Sequence, residues 1–154
     1  MNKKQFFPVF IDLSEKHVLV VGAGRIATRR LSTLADFAGK ITVVAPDIHP
    51  DIIKLAKERN IEILQRTYRT SDLEEADIVI VATTNVPLNV EIAEVCKERG
   101  IPVNTSHDKS LCDFYFPGLV KKDNIVIGVT SSGTDHAKAR AVTEKLRVFL
   151  NEME

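Results

Sequence analysis

Apolar residues follow two patterns that alternate along the first two thirds of the chain. Residues 17–21 (HVLVV), 41–45 (ITVVA) and 78–82 (IVIVA) are continuous apolar runs, as expected of strands buried on both faces of a sheet. Between them, apolar positions recur every three or four residues and predict helices over about 25–37, 50–59 and 86–99. Gly39 closes the first of these, and Pro87 stands in the first turn of the third. Residues 61–65 predict a short strand, and Pro102 and Val103 begin another. Ser71-Asp72-Leu73-Glu74 has the spacing of a capping box. The opening stretch 6–13 (FFPVFIDL) is apolar but interrupted by Pro8, which predicts a lead-in or an edge strand.

Alternation of strand and helix up to Asn104 calls for a parallel sheet with right-handed crossovers and helices on both faces. That is a doubly wound α/β fold of the Rossmann type. After Asn104 the rhythm changes. Residues 105–110 are polar and loop-like, the apolar Phe114-Tyr115-Phe116-Pro117 follows, and 125–130 (IVIGVT) reads as a strand. A turn over 131–135 ends at Asp135, a good N-cap, and predicts a helix over 137–151. Its residues Ala139, Val142, Leu146 and Phe149 form one apolar stripe, to be packed on the chain's own sheet or on a second subunit.

Composition narrows the function classes without choosing one. The 154 residues suit one domain with a short appendage, and 44% apolar with 27% charged content is that of a soluble globular chain. Lysine plus arginine and aspartate plus glutamate number 21 each, so nothing points to nucleic acid or an anionic membrane surface. No apolar run approaches the ~20 residues that span a bilayer, and Met1 to Lys4 do not read as a signal peptide. Cys96 and Cys112 lack CxxC spacing, which argues against structural zinc and fits a reducing, cytoplasmic setting. Cys96 falls on the apolar face of a predicted helix, as a small buried thiol would. No preformed metal cage is expected, though two surfaces could share one: His17 opens a strand, His49 lies in a loop, and His136 neighbours a helix cap.

Chemistry concentrates where the predicted strands end. Val18 to Val21 run into Gly22-Ala23-Gly24-Arg25-Ile26-Ala27, a G-x-G-x-x-A sequence between strand and helix. Glycine is required first for a sharp turn, then where backbone must approach a pyrophosphate, and small Ala27 lets the helix pack on the strand. The helix N-terminus adds free N–H groups and a positive dipole end. Asp47, after Pro46, lies near the spacing at which an acid binds an adenosine ribose. Either Asp47 makes that contact, or Pro46 and backbone do so while Asp47 is solvated. No arginine is adjacent, which favours NAD over NADP. Ala82-Thr83-Thr84-Asn85 can admit a flat nicotinamide or a ribose, or cap the next helix, and the two roles are compatible. Asn104 to Lys109 hold His107 and Asp108, which can move a proton near neutral pH or simply form a polar surface turn.

The order of segments carries a specific resemblance. FPVFIDL, VLVVGAGRIATRR, ITVVAP, IVIVATTNVPLN, GIPVN, LCDFYFPGLV and IVIGVTSSGT…AKAR follow one another over nearly the full chain. Together they resemble the precorrin-2 dehydrogenase family, the NAD-dependent module of siroheme synthesis, and LCDFYFP discriminates best. The resemblance implies oxidation of precorrin-2 to sirohydrochlorin with NAD⁺, a homodimer, and cofactor contacts at Gly22, Gly24, Arg25, Ile26, Pro46, Asp47 and Thr83. It divides the chain into a cofactor domain, 1–112, and a short segment for dimerisation and substrate enclosure, 113–154. His107 stands where relatives usually carry an aspartate proposed as acid and base, with Asp108 one position later. Either His107 takes the proton, or Asp108 reaches in, or the chain is a dehydrogenase only. A cationic imidazole could also bind a substrate carboxylate instead of catalysing. Thr134-Asp135-His136 replaces a more usual Ser-Pro, and relatives often continue with a further helical segment. Two other functions compete: a combined dehydrogenase and ferrochelatase, and a non-catalytic module that binds NAD(H) or a tetrapyrrole.

Overall fold

The computed structural model describes residues 6–153, which form two compact units, one of residues 11–114 and one of residues 6–10 and 115–153. The larger unit alternates strand and helix. Strands β1 (His17–Val21), β2 (Lys40–Val44), β3 (Ile61–Leu64), β4 (Ile78–Val81) and β5 (Val103–Thr105) are joined through helices α1 (Arg25–Leu34), α2 (Pro50–Glu58) and α3 (Val86–Arg99). All strand pairs are parallel, in the order β3-β2-β1-β4-β5. Val20 pairs with Val43 on one side and Ile80 on the other, and all three are fully buried. Continuous apolar runs are thus explained by burial on both faces.

Helix ends follow local chemistry. Asn85 accepts from the Leu88 N–H at 3.2 Å to start α3, with Pro87 in the first turn. Gly100, at φ +68, takes the left-handed cap that ends it. α1 stops at Leu34, short of the expected 37, where Asp36 and Phe37 donate to the Thr33 and Leu34 carbonyls in tighter turns. The capping device at residues 69–73 is not the one expected. A short 3₁₀ turn spans Thr70–Leu73, and Asp72, rather than Glu74, reaches back to the Arg69 N–H at 2.9 Å. Asp72 also takes two bonds from Arg66, at 2.6 and 2.9 Å, which hold its carboxyl below the usual range.

The smaller unit holds a hairpin that the apolar pattern did not separate. Strands β6 (Gly118–Lys122) and β7 (Ile125–Val129) pair antiparallel, turning at Asp123 with φ +53. Helix α4 (His136–Glu152) begins at Asp135, which accepts from the Lys138 N–H at 2.8 Å. Its inward residues are Thr143 and Leu150, with Ala139 and Leu146 partly covered. Within the chain the inward stripe is therefore rotated from the expected one, and Val142 and Phe149 are exposed, as the second-subunit alternative allows. Gly118 supplies the reason. A Cβ there would lie 2.4 Å from the Thr143 hydroxyl oxygen, so Thr143 occupies that space. Its hydroxyl is satisfied by the Ala139 carbonyl at 2.8 Å, which makes a polar residue tolerable inside. No strand forms over residues 6–13, where Pro8 lacks an N–H and the neighbouring Phe7, Val9, Phe10 and Ile11 are exposed.

Candidate functional site

Chain order reverses direction at β1: β2 and β3 lie to one side, β4 and β5 to the other. The crevice beyond the carboxyl ends of β1 and β4 is the switch point where open α/β sheets bind ligands. Gly22 closes the floor of this crevice. Its φ is +101, its N–H donates to the Val44 carbonyl at 2.9 Å, and a Cβ would sit 2.4 Å from the Ala82 carbonyl oxygen. Gly24 is different: a Cβ there meets nothing within 4 Å. It is the N-cap of α1, with no side-chain cap, no acid in the first turn, and a first helical bond made only by the Thr28 N–H. Arg25 and Ile26 are exposed at this end, while Ala27 is fully buried beneath it. Uncapped N–H groups, open space and a positive dipole end fit a pyrophosphate.

The other candidate residues lie at neighbouring strand ends. Pro46 and Asp47 follow β2 and are exposed, with the Pro46 carbonyl accepting from Gln65 at 3.2 Å. His49 is not idle loop: its N–H bonds the Ala23 carbonyl at 3.0 Å, and its Nδ1 caps α2 at Asp51. Thr83 follows β4. Its hydroxyl donates to Asn89 Oδ1 and accepts from the Asn85 N–H at 3.1 Å. Asn89 Nδ2 in turn donates to the Thr83 carbonyl at 3.0 Å and lies 3.4 Å from His107 Nδ1. The loops after β4 and β5 are therefore tied by one buried amide. Asp108 faces a different task, its carboxylate capping the short 3₁₀ turn Lys109–Leu111 through the Ser110 N–H at 2.8 Å.

Three contributors escaped notice in the sequence. Asn89 heads the inward stripe of α3 that continues with Ile92, Ala93 and Cys96, and a polar residue on that stripe was the available signal. Arg30 on α1 donates to Asn104 at 2.6 Å, and burial pulls its guanidinium below the ordinary value. Asn104 passes the link on to the Phe114 carbonyl at 2.7 Å. Asp113 exchanges bonds with the backbone of Val103, and the Cys112 sulfur sits against the Thr105 N–H at 3.3 Å. The Leu111–Phe114 segment thus covers the open edge of β5. Cys96 is inert: burial pushes its thiol up to about 11. His17 is likewise engaged, donating to the Glu75 carbonyl at 3.0 Å and meeting Thr42 at 2.8 Å.

A parallel sheet with an uncapped G-x-G-x-x-A helix at its switch point defines a dinucleotide-binding domain of the Rossmann type. Residues 9–118 match the family described as "Putative NAD(P)-binding", and the chain belongs to that family. It is 36% identical over 145 residues to a siroheme synthase of Pseudomonas paraeruginosa and 34% identical over 145 residues to one of Ruthia magnifica. These alignments take in 94% of the chain but only 31% of each relative. Among solved structures, SirC, a precorrin-2 dehydrogenase, superposes with a TM-score of 0.77 over 94% of the chain and 71% of its own, at 23% identity.

Proposed function

We propose that the chain oxidises precorrin-2 to sirohydrochlorin with NAD⁺ as the hydride acceptor, a step of siroheme synthesis. The carrying observation is the similarity to siroheme synthases over 94% of the chain, a span that contains the uncapped Gly22–Gly24 cradle. When bound, the nicotinamide accepts a hydride from a ring carbon of the macrocycle, which also loses one proton. In this reading Gly22, Gly24, Arg25 and Ile26 bind the pyrophosphate, and Pro46 and Asp47 border the adenosine. Asp47, with no arginine beside it in sequence, favours NAD over NADP. Thr83, held by Asn85 and Asn89, lines the nicotinamide side. His107 and Asp108 are the titratable groups for the substrate end. The protein contributes mainly alignment of two large ligands.

Residues 1–112 are assigned to the cofactor domain in this proposal and 113–154 to dimerisation and substrate enclosure, whereas the compact units divide at 10/11 and 114/115. Exposed Val142, Val148 and Phe149 on α4 support a homodimer. Both cysteines are unpaired and buried, in keeping with the cytoplasm, and no helix among the described residues is long and apolar enough to cross a membrane. The test is to incubate the purified protein with precorrin-2 and NAD⁺. NADH absorbance should rise together with the sirohydrochlorin spectrum, and their absence would overturn the assignment.

A further inference from the structure

Asn89 is wholly buried, and its two ends are not interchangeable. Nδ2 lies 3.0 Å from the Thr83 carbonyl, which can only accept, while Oδ1 receives the Thr83 hydroxyl proton. A flipped amide would set two acceptors face to face, so the Thr83 carbonyl dictates the orientation without reference to the imidazole. The second Nδ2 proton then serves His107 Nδ1, 3.4 Å away. An amide N–H meets a ring lone pair only where that nitrogen carries no proton. With Nδ2 donating, a neutral ring carries its proton on Nε2.

We propose that Asn89 holds His107 as the Nε2–H tautomer, making it a hydrogen-bond donor to a carboxylate of the bound substrate and not the base that removes a proton. The only ring lone pair faces Asn89, and the nitrogen on the far side of this exposed ring is already protonated. Such a ring presents a donor, the group that suits an anionic side chain of a polycarboxylate macrocycle. The inference rests on the dehydrogenase proposal for its substrate class. It leaves Asp108 or water to take the proton lost in the oxidation. Asn89 is a positioning residue, since it acts through His107.

Nitrogen-15 NMR of the full chain at about pH 8, above the ordinary histidine range, reads the tautomer directly, with His107→Ala assigning the signal. Wild type should show a bare Nδ1 and a protonated Nε2, and titration with uroporphyrin as a polycarboxylate probe should shift Nε2. Asn89→Asp, which can only accept, should move the proton to Nδ1. That variant also opposes the Thr83 carbonyl and risks misfolding, so a second arm uses kinetics. His107→Ala should raise KM for precorrin-2 about tenfold, the loss of roughly one charge-assisted bond, while kcat falls less than threefold. His107→Gln, which keeps an N–H donor, should recover most of that KM. A protonated Nδ1 in wild type, an Nε2 signal indifferent to uroporphyrin, or a collapse of kcat at unchanged KM in His107→Gln would overturn the proposal. If wild type shows no turnover, the dehydrogenase assignment fails, while the tautomer and the uroporphyrin titration still decide this one.

Discussion

Gly22 and Gly24 stand two residues apart and meet opposite demands. Gly22 combines φ +101 with a carbonyl 2.4 Å from where a Cβ would be, so both strain and overlap oppose any side chain. Gly22→Ala should cost about 2–4 kcal/mol of stability, read by urea unfolding. Gly24 has φ −87 and open space, so Gly24→Ala should cost about 1 kcal/mol or less. Its methyl would nevertheless fill the cradle, and NAD⁺ affinity measured by calorimetry should fall about tenfold or more, equivalent to ~1.4 kcal/mol. The motif assigns the first glycine to the turn and the second to a close approach, but does not say which of them is limited by space. Their distinction depends on Ala82, which is 60 residues away in sequence and adjacent only because β1 and β4 pair.

Elements lock through a few polar pins. Asp72 ties Arg66, just beyond β3, to the turn before β4, and its carboxyl titrates below the ordinary range. The unfolded chain therefore binds that proton more tightly, and the stabilisation present at neutral pH fades as pH falls below about 4. Asp72→Asn should lose about 1–3 kcal/mol at pH 7. Urea unfolding of mutant and wild type should then converge in acid. In the smaller unit, α4 meets β6 at Gly118, so Gly118→Ala should destabilise by about 1–3 kcal/mol. Combining it with Thr143→Ala, which removes the overlapping hydroxyl, should restore part of the loss; simple additivity of the two changes would show that this contact is not the cause. The hydrophobic pattern could not rank Thr143 above Val142, because the space made by Gly118 comes from a strand that the pattern had not distinguished.

At the scale of the whole molecule, α4 leaves Val142, Val148 and Phe149 outward on a helix whose opposite side is already packed. If these residues form the proposed dimer contact, sedimentation should give a dimer for wild type and a monomer for Phe149→Lys, with near-UV circular dichroism unchanged. A wild-type monomer would remove this role from the α4 face. Sequence alone was sufficient for the alternating α/β architecture, the glycine turn between β1 and α1 and the family resemblance. Those features are local: buried strands need unbroken apolar runs, tight turns need glycine, and helix ends need caps. Tertiary structure decided which glycine is space-limited and which face of α4 turns inward. It also decided that Leu111–Phe114 shields the edge of β5, and that Asn89 joins the Thr83 and His107 loops. Each of those depends on atoms brought within bonding distance by strand order and helix packing, a relation that residue type and spacing do not encode.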